Sequence, residues 1–313
     1  MAISAVTAST SESIVHIQGF RMEFDEHAVI RDLSFDVRDG ETFGLLGANG
    51  SGKTTTIRAL LGIYRPTAGL LHVNGRPFQP EQGGSLGYLP EERGLYKKES
   101  VIDVMTYFGK LKGLSKHAAT SWSMGYLERV GIADKAKVRV DKLSGGQQQK
   151  VQLGVTIMSD PELLILDEPT KGFDPVNRRL LMGIIEERKA AGSTVLMVTH
   201  QMDEVERLCD RVLLLKDGEA AAYGTIPDVQ AQYGGTTARL TFTGDLPDSV
   251  RYRVTRLENN SAELDLDEGV DEVDVLRDLI EAGVSVRSFT TGRPSMDDIF
   301  VRVYGGHDEP GEV

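Results

Sequence analysis

The sequence predicts an α/β fold. Its parts are a core of parallel strands and helices built on a phosphate loop, an antiparallel β subdomain ahead of it, an inserted α-helical subdomain, and a small α+β C-terminal domain. Three observations lead there. Gly47-Ala-Asn-Gly-Ser-Gly-Lys-Thr54 has the spacing G-x-x-x-x-G-K-[ST] and lies between an apolar run, Thr42–Leu46, and a helix-like run, Thr54–Leu61. Leu163-Leu-Ile-Leu-Asp-Glu168 is a buried strand by composition and ends in two carboxylates, where open α/β sheets bind ligands. Near Gln232–Thr237 the register changes across Gly234-Gly235-Thr236-Thr237, and short strand-like runs follow.

Composition sets outer limits. A chain of 313 residues calls for two domains, and 40% hydrophobic content is enough for packed cores. Forty-seven acids against 35 bases give a formal net charge of −12, the opposite of the basic footprint of a nucleic-acid binder, so no nucleic-acid partner is expected. The one cysteine, Cys209, permits neither an internal disulfide nor a cysteine-only zinc site and reads as a small core residue in a reducing cytosol. No apolar run reaches the ~18–20 residues that span a bilayer, so any role at a membrane requires docking on something that spans it. Residues 1–13 have neither the basic start nor the apolar centre of a secretory signal and are expected to be a disordered leader.

Taken in order, residues 14–37 alternate about a polar turn at Asp25–His27, as antiparallel strands do. Phe24 closes the first arm; it is either an ordinary hairpin aromatic or a ring that stacks on a flat heterocycle such as adenine. In the phosphate loop, Gly47, Gly50 and Gly52 let the backbone turn sharply and aim its N–H groups inward at an anion, and the helix that follows adds its positive end. Lys53 reaches the β/γ-phosphates and the Thr54 hydroxyl holds Mg²⁺. The candidate nucleotide-binding stretch is therefore Gly47, Ala48, Asn49, Gly50, Ser51, Gly52, Lys53, Thr54 and Thr55. Leu70–Val73 and Leu86–Leu89 are short strands, the second ending at Pro90-Glu91-Glu92-Arg93-Gly94-Leu95-Tyr96. Residues 101–139 show helical spacing, which places a helical subdomain at about 97–150 with Trp122 and its tyrosines in the core. Ser144 is a good N-cap, and Gly145 and Gly146 leave backbone N–H groups uncovered. The segment through Gln147 is either a plain capped helix or a second anion site. Successive strand residues face opposite ways, so Asp167 is expected to approach Thr54 and Mg²⁺ while Glu168 turns to an attacking water. Gly172–Pro175 is a turn before a helix at 176–191, and Thr194–Val198 is a strand. His200, at the end of that strand, is read as a γ-phosphate sensor. A closing hairpin ends near Tyr223. The first domain is thus expected at 14–232, the small α+β domain at 238–304, and a flexible tail at 305–313.

Together, Gly47–Thr54, Leu143-Ser-Gly-Gly-Gln147, Leu163–Glu168, Gly172–Pro175 and His200 resemble, in order and spacing, the ATP-binding subunit of ABC transporters over residues 14–225. Leu-Ser-Gly-Gly-Gln between phosphate loop and acid strand separates this family from other P-loop NTPases. The resemblance implies ATP and Mg²⁺ as cofactors, with Glu168, His200 and Lys53 catalytic. ATP is then held between the phosphate loop of one subunit and Ser144, Gly145, Gly146 and Gln147 of another. The metal set is Thr54, Asp167 and Glu91, the last standing where the family has its Q-loop glutamine. Asp174 is the retained acid of the D-loop dimer contact, which here reads Lys171-Gly-Phe-Asp174 instead of Ser-Gly-Leu-Asp. Implied partners are a separate transmembrane permease subunit and a second copy of the chain, or a homologous ATPase, arranged head to tail. The implied location is the cytoplasm, peripheral on the inner face of the membrane. Glu91–Tyr96 and Pro294-Ser-Met-Asp-Asp-Ile-Phe300 are similar to a narrower bacterial group of export-type subunits for drug, lipid-like or ion efflux. Two rival readings stand beside this one. A soluble ABC ATPase on ribosomes or DNA would be expected to carry two nucleotide modules or a long coiled coil, and this chain has neither. A regulatory or dimer-bracing protein would work mainly through its C-terminal module.

Overall fold

The computed structural model describes residues 13–79, 85–92, 94–267 and 269–305. The expected leader, apart from Ser13, and the expected tail, apart from Gly305, lie outside the described residues. The chain divides into two compact units, Met1–Tyr223 and Gly224–Val313.

The first unit is built on one nine-stranded sheet. Strands β1 (Ser13–Phe24) and β2 (His27–Arg38) form an antiparallel hairpin whose turn residues, Asp25 and Glu26, take φ of 45° and 69°. β3 (Thr42–Leu46) leads to the phosphate loop and α1 (Lys53–Leu60), and β4 (Ala68–Val73) returns antiparallel to β1. The remaining strands are β5 (Leu86–Leu89), β6 (Leu163–Asp167), β7 (Thr194–Val198), β8 (Arg211–Lys216) and β9 (Glu219–Thr225). Their order is β4-β1-β2-β9-β8-β3-β7-β6-β5, with β8, β3, β7, β6 and β5 mutually parallel. Every residue of β3, β6 and β7 is buried, the continuous apolar pattern of a sheet covered on both faces. A single parallel bridge, Asp32 to Glu219, links the antiparallel part to the rest. Side chains reinforce that junction. The buried Arg211 on β8 pairs with Asp36 of β2 at 3.2 Å and with Glu41 at 3.1 Å, and the Tyr223 hydroxyl donates to Asp36 at 2.7 Å.

Between β5 and β6 the chain leaves the sheet as α2 (Val101–Leu111), α3 (Lys116–Arg129) and α4 (Gly145–Ile157). This is the expected helical subdomain, with α4 running on past 150 to re-enter the core. Ser100 and Ser115 cap the first two helices, accepting from Asp103 N and Ala118 N. Gly154 lies against Tyr126 and Met105, where a Cβ would have no room, and this lets α4 approach its neighbours closely. Lys112, just past α2, donates to the carbonyls of Thr156 and Met158 at 2.8 and 3.0 Å and closes the end of α4. α5 (Pro175–Ala190) follows β6, and α6 (Met202–Leu208), which the sequence reading missed, follows β7.

The second unit contains an antiparallel sheet of β10 (Thr237–Thr243), β11 (Tyr252–Glu258), β12 (Ser261–Leu266) and β13 (Ser285–Gly292), in the order β11-β12-β10-β13. Its covered face, including Leu240, Phe242 and Leu264, packs on Val275 and Leu279 of α8 (Glu272–Glu281). α7 (Ile226–Gln232) belongs here as well, joined by bonds from Arg293 to Pro227 O (3.2 Å) and from Arg302 of α9 (Met296–Tyr304) to Tyr233 O (2.7 Å). The cut between units thus falls before α7.

Candidate active site

The phosphate loop owes its shape to its glycines. A Cβ on Gly47 would stand 2.7 Å from Leu215 O and collide with Ser51 Oγ. Gly50 and Gly52 sit at φ of 82° and 108°, and at Gly52 a Cβ would also strike Ile30. Lys53 opens α1 and is buried. Its Nζ donates to Gly47 O at 2.8 Å and Ala48 O at 2.9 Å, so the lysine bridges the loop's own carbonyls. Burial lowers its pKa, against the raising pull of Glu168, Asp167 and Glu91. Ser51 N donates to Ala48 O at 3.2 Å, while the buried Ser51 hydroxyl has no partner among the described residues. Asn49 and Gly50 are exposed at the loop's tip, and Thr54 and Thr55 are half-buried behind it.

The order β3-β7-β6 brings the ends of three parallel strands to one crevice. Asp167 ends β6, paired with Val198 of β7. Burial pushes its carboxyl up to about 6, helped by the negative charges of Glu91 and Glu168. Glu168 departs from expectation in how it is aimed. It lies past the strand's end at φ 50°, its N–H donating to Val198 O at 2.8 Å, so a left-handed backbone and not strand pleating separates the two acids. Its Oε1 is 2.8 Å from His200 Nδ1, and the other ring nitrogen is 3.1 Å from Gln201 Nε2. Lys53, Asp167, Glu168 and His200, far apart in sequence, therefore meet in one place.

The donor set fits Mg²⁺ carried with a nucleotide. Thr54 and Asp167 offer hard oxygens, and Mg²⁺ is usually held by one or two carboxylates together with waters and phosphate oxygens. Among the described residues no three His, Cys, Asp or Glu side chains gather into a metal site of their own. The shaped loop and the unpartnered Ser51 hydroxyl likewise suit a phosphate.

Glu91 follows β5, the neighbour of β6, and its carboxylate pairs with Lys171 Nζ at 2.5 Å. Two of the three departures from the family pattern, Glu91 and Lys171, thus form one ion pair, while Phe173 takes no part in it. Gln152 of α4 donates to Pro90 O (3.2 Å) and Glu92 O (3.1 Å), and Thr156 donates to Tyr88 O (3.2 Å), so the helical subdomain grips the segment that presents Glu91. Tyr88 is pushed up to about 12 by burial and by Asp167.

Other candidates lie apart. Ser144 and Gln147 bond to each other in a capping box (Gln147 N to Ser144 Oγ 3.3 Å, Ser144 N to Gln147 Oε1 3.0 Å), and among the described residues no hydrogen bond joins Ser144–Gln147 to the phosphate loop. Gly146 has the Phe173 ring beside it. Asp174 caps α5, accepting from Val176 N and Asn177 N at 2.9 and 3.0 Å. Phe24 is 40% exposed and meets Tyr64 edge-on at 5.4 Å, beside the helix that begins at the loop. Lys171 stands out in the sequence only as a departure in the D-loop, and the contacts of Gln152 and Gln201 are not marked there. Lys171 could have been found as the unusual cation facing an unusual acid, and Gln201 by adjacency to His200. At the surface of the helical subdomain, Tyr96, Glu99, Asp103, Val104 and Tyr107 line an open groove of about 430 Å³.

The description "ABC transporter" belongs to the family that matches residues 30–171, and residues 224–304 match the C-terminal domain of the ATP-binding protein DrrA1-3-like group. YhaQ of Bacillus subtilis, an uncharacterized ABC transporter ATP-binding protein, is 35% identical over 292 residues, covering 90% of this chain and 95% of its own. The Nod factor export ATP-binding protein I of a Rhizobium species is 32% identical over 301 residues, covering 94% and 98%. The solved structure of an ATP-binding subunit of an ABC transporter superposes with a TM-score of 0.66 at 27% identity, over 71% of this chain and 93% of that one.

Proposed function

Since the chain belongs to the ATP-binding subunits of ABC transporters, we propose that it is the ATP-hydrolysing motor of an exporter. Two copies close head to tail on ATP and drive a separate transmembrane permease. The observation that carries the hydrolytic reading is the Glu168–His200 contact of 2.8 Å beside Lys53 and Asp167. Glu168 takes the proton of the attacking water, and His200 fixes the orientation of that carboxylate and reaches toward the γ-phosphate. Lys53 would leave the loop carbonyls for the β/γ-phosphates, and Thr54, Asp167 and Glu91 are the residues that would hold Mg²⁺. The metal supplies positive charge to the phosphate oxygens when bound. Positioning and charge neutralisation account for most of the catalysis of phosphoryl transfer.

Ser144 and Gly145–Gln147 of the second copy complete the pocket, Asp174 stands at the contact between copies, and Phe24 stacks on adenine. The permease docks a cytoplasmic segment in the groove of Tyr96, Glu99, Asp103 and Tyr107, whose acids favour a basic residue on an apolar segment. Among the described residues no helix is long and apolar enough to cross a membrane, which suits a subunit that reaches the inner face through its partner. Export is favoured by the near full-length match to a Nod factor export protein.

The test is Glu168→Gln. ATP binding should persist in a direct titration while turnover falls roughly 10²-fold or more, the scale of losing a general base. An unchanged rate removes Glu168 from that role.

A further inference from the structure

The sheet of the second unit ends in β11, whose outer side carries no strand among the described residues. The edge carries charges and a bulge between Val254 and Arg256, and its sequence is self-complementary. Residues Arg253–Glu258 are all exposed, including Val254 at 39% and Leu257 at 63%. The pairing with β12 shows which way each residue faces. Val254 and Leu257 lie opposite the buried Leu264 and Ala262, on the covered side; Arg253, Arg256 and Glu258 lie opposite Asp265, Glu263 and Ser261, on the open side. Two copies of this segment laid antiparallel, with Arg253 opposite Glu258, place Val254 opposite Leu257 and Thr255 opposite Arg256. Each apolar residue then meets an apolar residue, and each Arg253 meets a Glu258, which also pairs with Arg256 of its own strand at 2.8 Å. Shifting the strands by two residues, so that Arg253 meets Arg256, sets like charges against each other. β13, at the other end of the sheet, bears Arg287 as its one charge and offers no such match.

We propose that β11 is a contact between two copies of this chain, formed by antiparallel edge pairing about a two-fold axis and independent of nucleotide. Free strand edges are templates for another strand, and an isologous contact needs a self-complementary patch. The pairing extends the four-stranded sheet into one of eight strands across both copies. It also places the exposed Val254 and Leu257 in a continuous apolar strip with their counterparts.

Sedimentation of the full chain without nucleotide tests this. The wild type should dimerise at or below about 100 µM, in keeping with a small interface. Glu258→Arg or Arg253→Glu should each weaken dimerisation at least about tenfold, and the exchanged pair Arg253→Glu/Glu258→Arg should restore it, as expected for a charge-matched contact. Lys53→Ala should leave it unchanged, which separates this contact from closure on ATP. In a second measurement, the Val254→Cys/Leu257→Cys variant should oxidise to a covalent dimer of twice 34.2 kDa, with the one native thiol, Cys209, buried out of the way. A monomer throughout, or a dimer indifferent to Glu258→Arg and giving no cross-link, overturns the proposal. The ATPase reading stands or falls separately, on nucleotide binding and turnover.

Discussion

Lys171 and Glu91 are 80 residues apart and touch only because β5 and β6 are neighbours in the sheet. Each is visible in the sequence as an oddity: an acid where the family has glutamine, a cation where it has serine. Their partnership is not visible, because strand order is a property of the whole topology. Charge compensation explains why both are tolerated. Glu91 adds a negative charge to a crevice that already holds Asp167 and Glu168 and must receive a triphosphate, and Lys171 offsets it. Lys171→Ser should therefore weaken ATP binding by about fivefold, the upper range for one exposed pair. Glu91→Gln in the same background should restore it, as a direct titration would show; no rescue would mean that Lys171 acts by another route. Lys53, Asp167, Glu168 and His200 were legible one by one, since fixed spacing and strand-end position announce them. The left-handed turn that aims Glu168 was not, because no glycine or asparagine marks it.

At the scale of elements, α4 joins two sets of contacts. Its first turn carries the Ser144–Gln147 capping box, and its middle holds the segment carrying Glu91 through Gln152. The cap was legible from Ser144 and Gln147. Gln152 was not, since it follows three glutamines in the same helix and nothing local sets it apart. Gln152→Leu should leave the carbonyls of Pro90 and Glu92 without their donor and cost about 1–3 kcal/mol in urea unfolding. Faster amide exchange should be confined to the segment around Glu91. A cost below ~0.5 kcal/mol would show that this grip contributes nothing measurable.

For the whole molecule, two compact units with separate cores imply two unfolding events. Mg²⁺-ATP at about 100 times its dissociation constant should stabilise the first unit by ~2.7 kcal/mol and leave the second where it was. Calorimetry that shows both transitions rising together would contradict this. The strands of both units were legible to within a few residues from their alternation and apolar runs. The bond from Arg302 back across Gly234-Gly235 to Tyr233, which keeps α7 with the second unit, has no mark in the sequence. Glu168 has a further consequence for the molecule. A glutamate at φ 50° holds a backbone shape that glycine adopts without strain, so Glu168→Gly would relax the fold by about 1 kcal/mol while removing the proposed base. Evolution under heat alone, with transport unselected, would therefore drift toward a sturdier protein that binds nucleotide and does nothing with it.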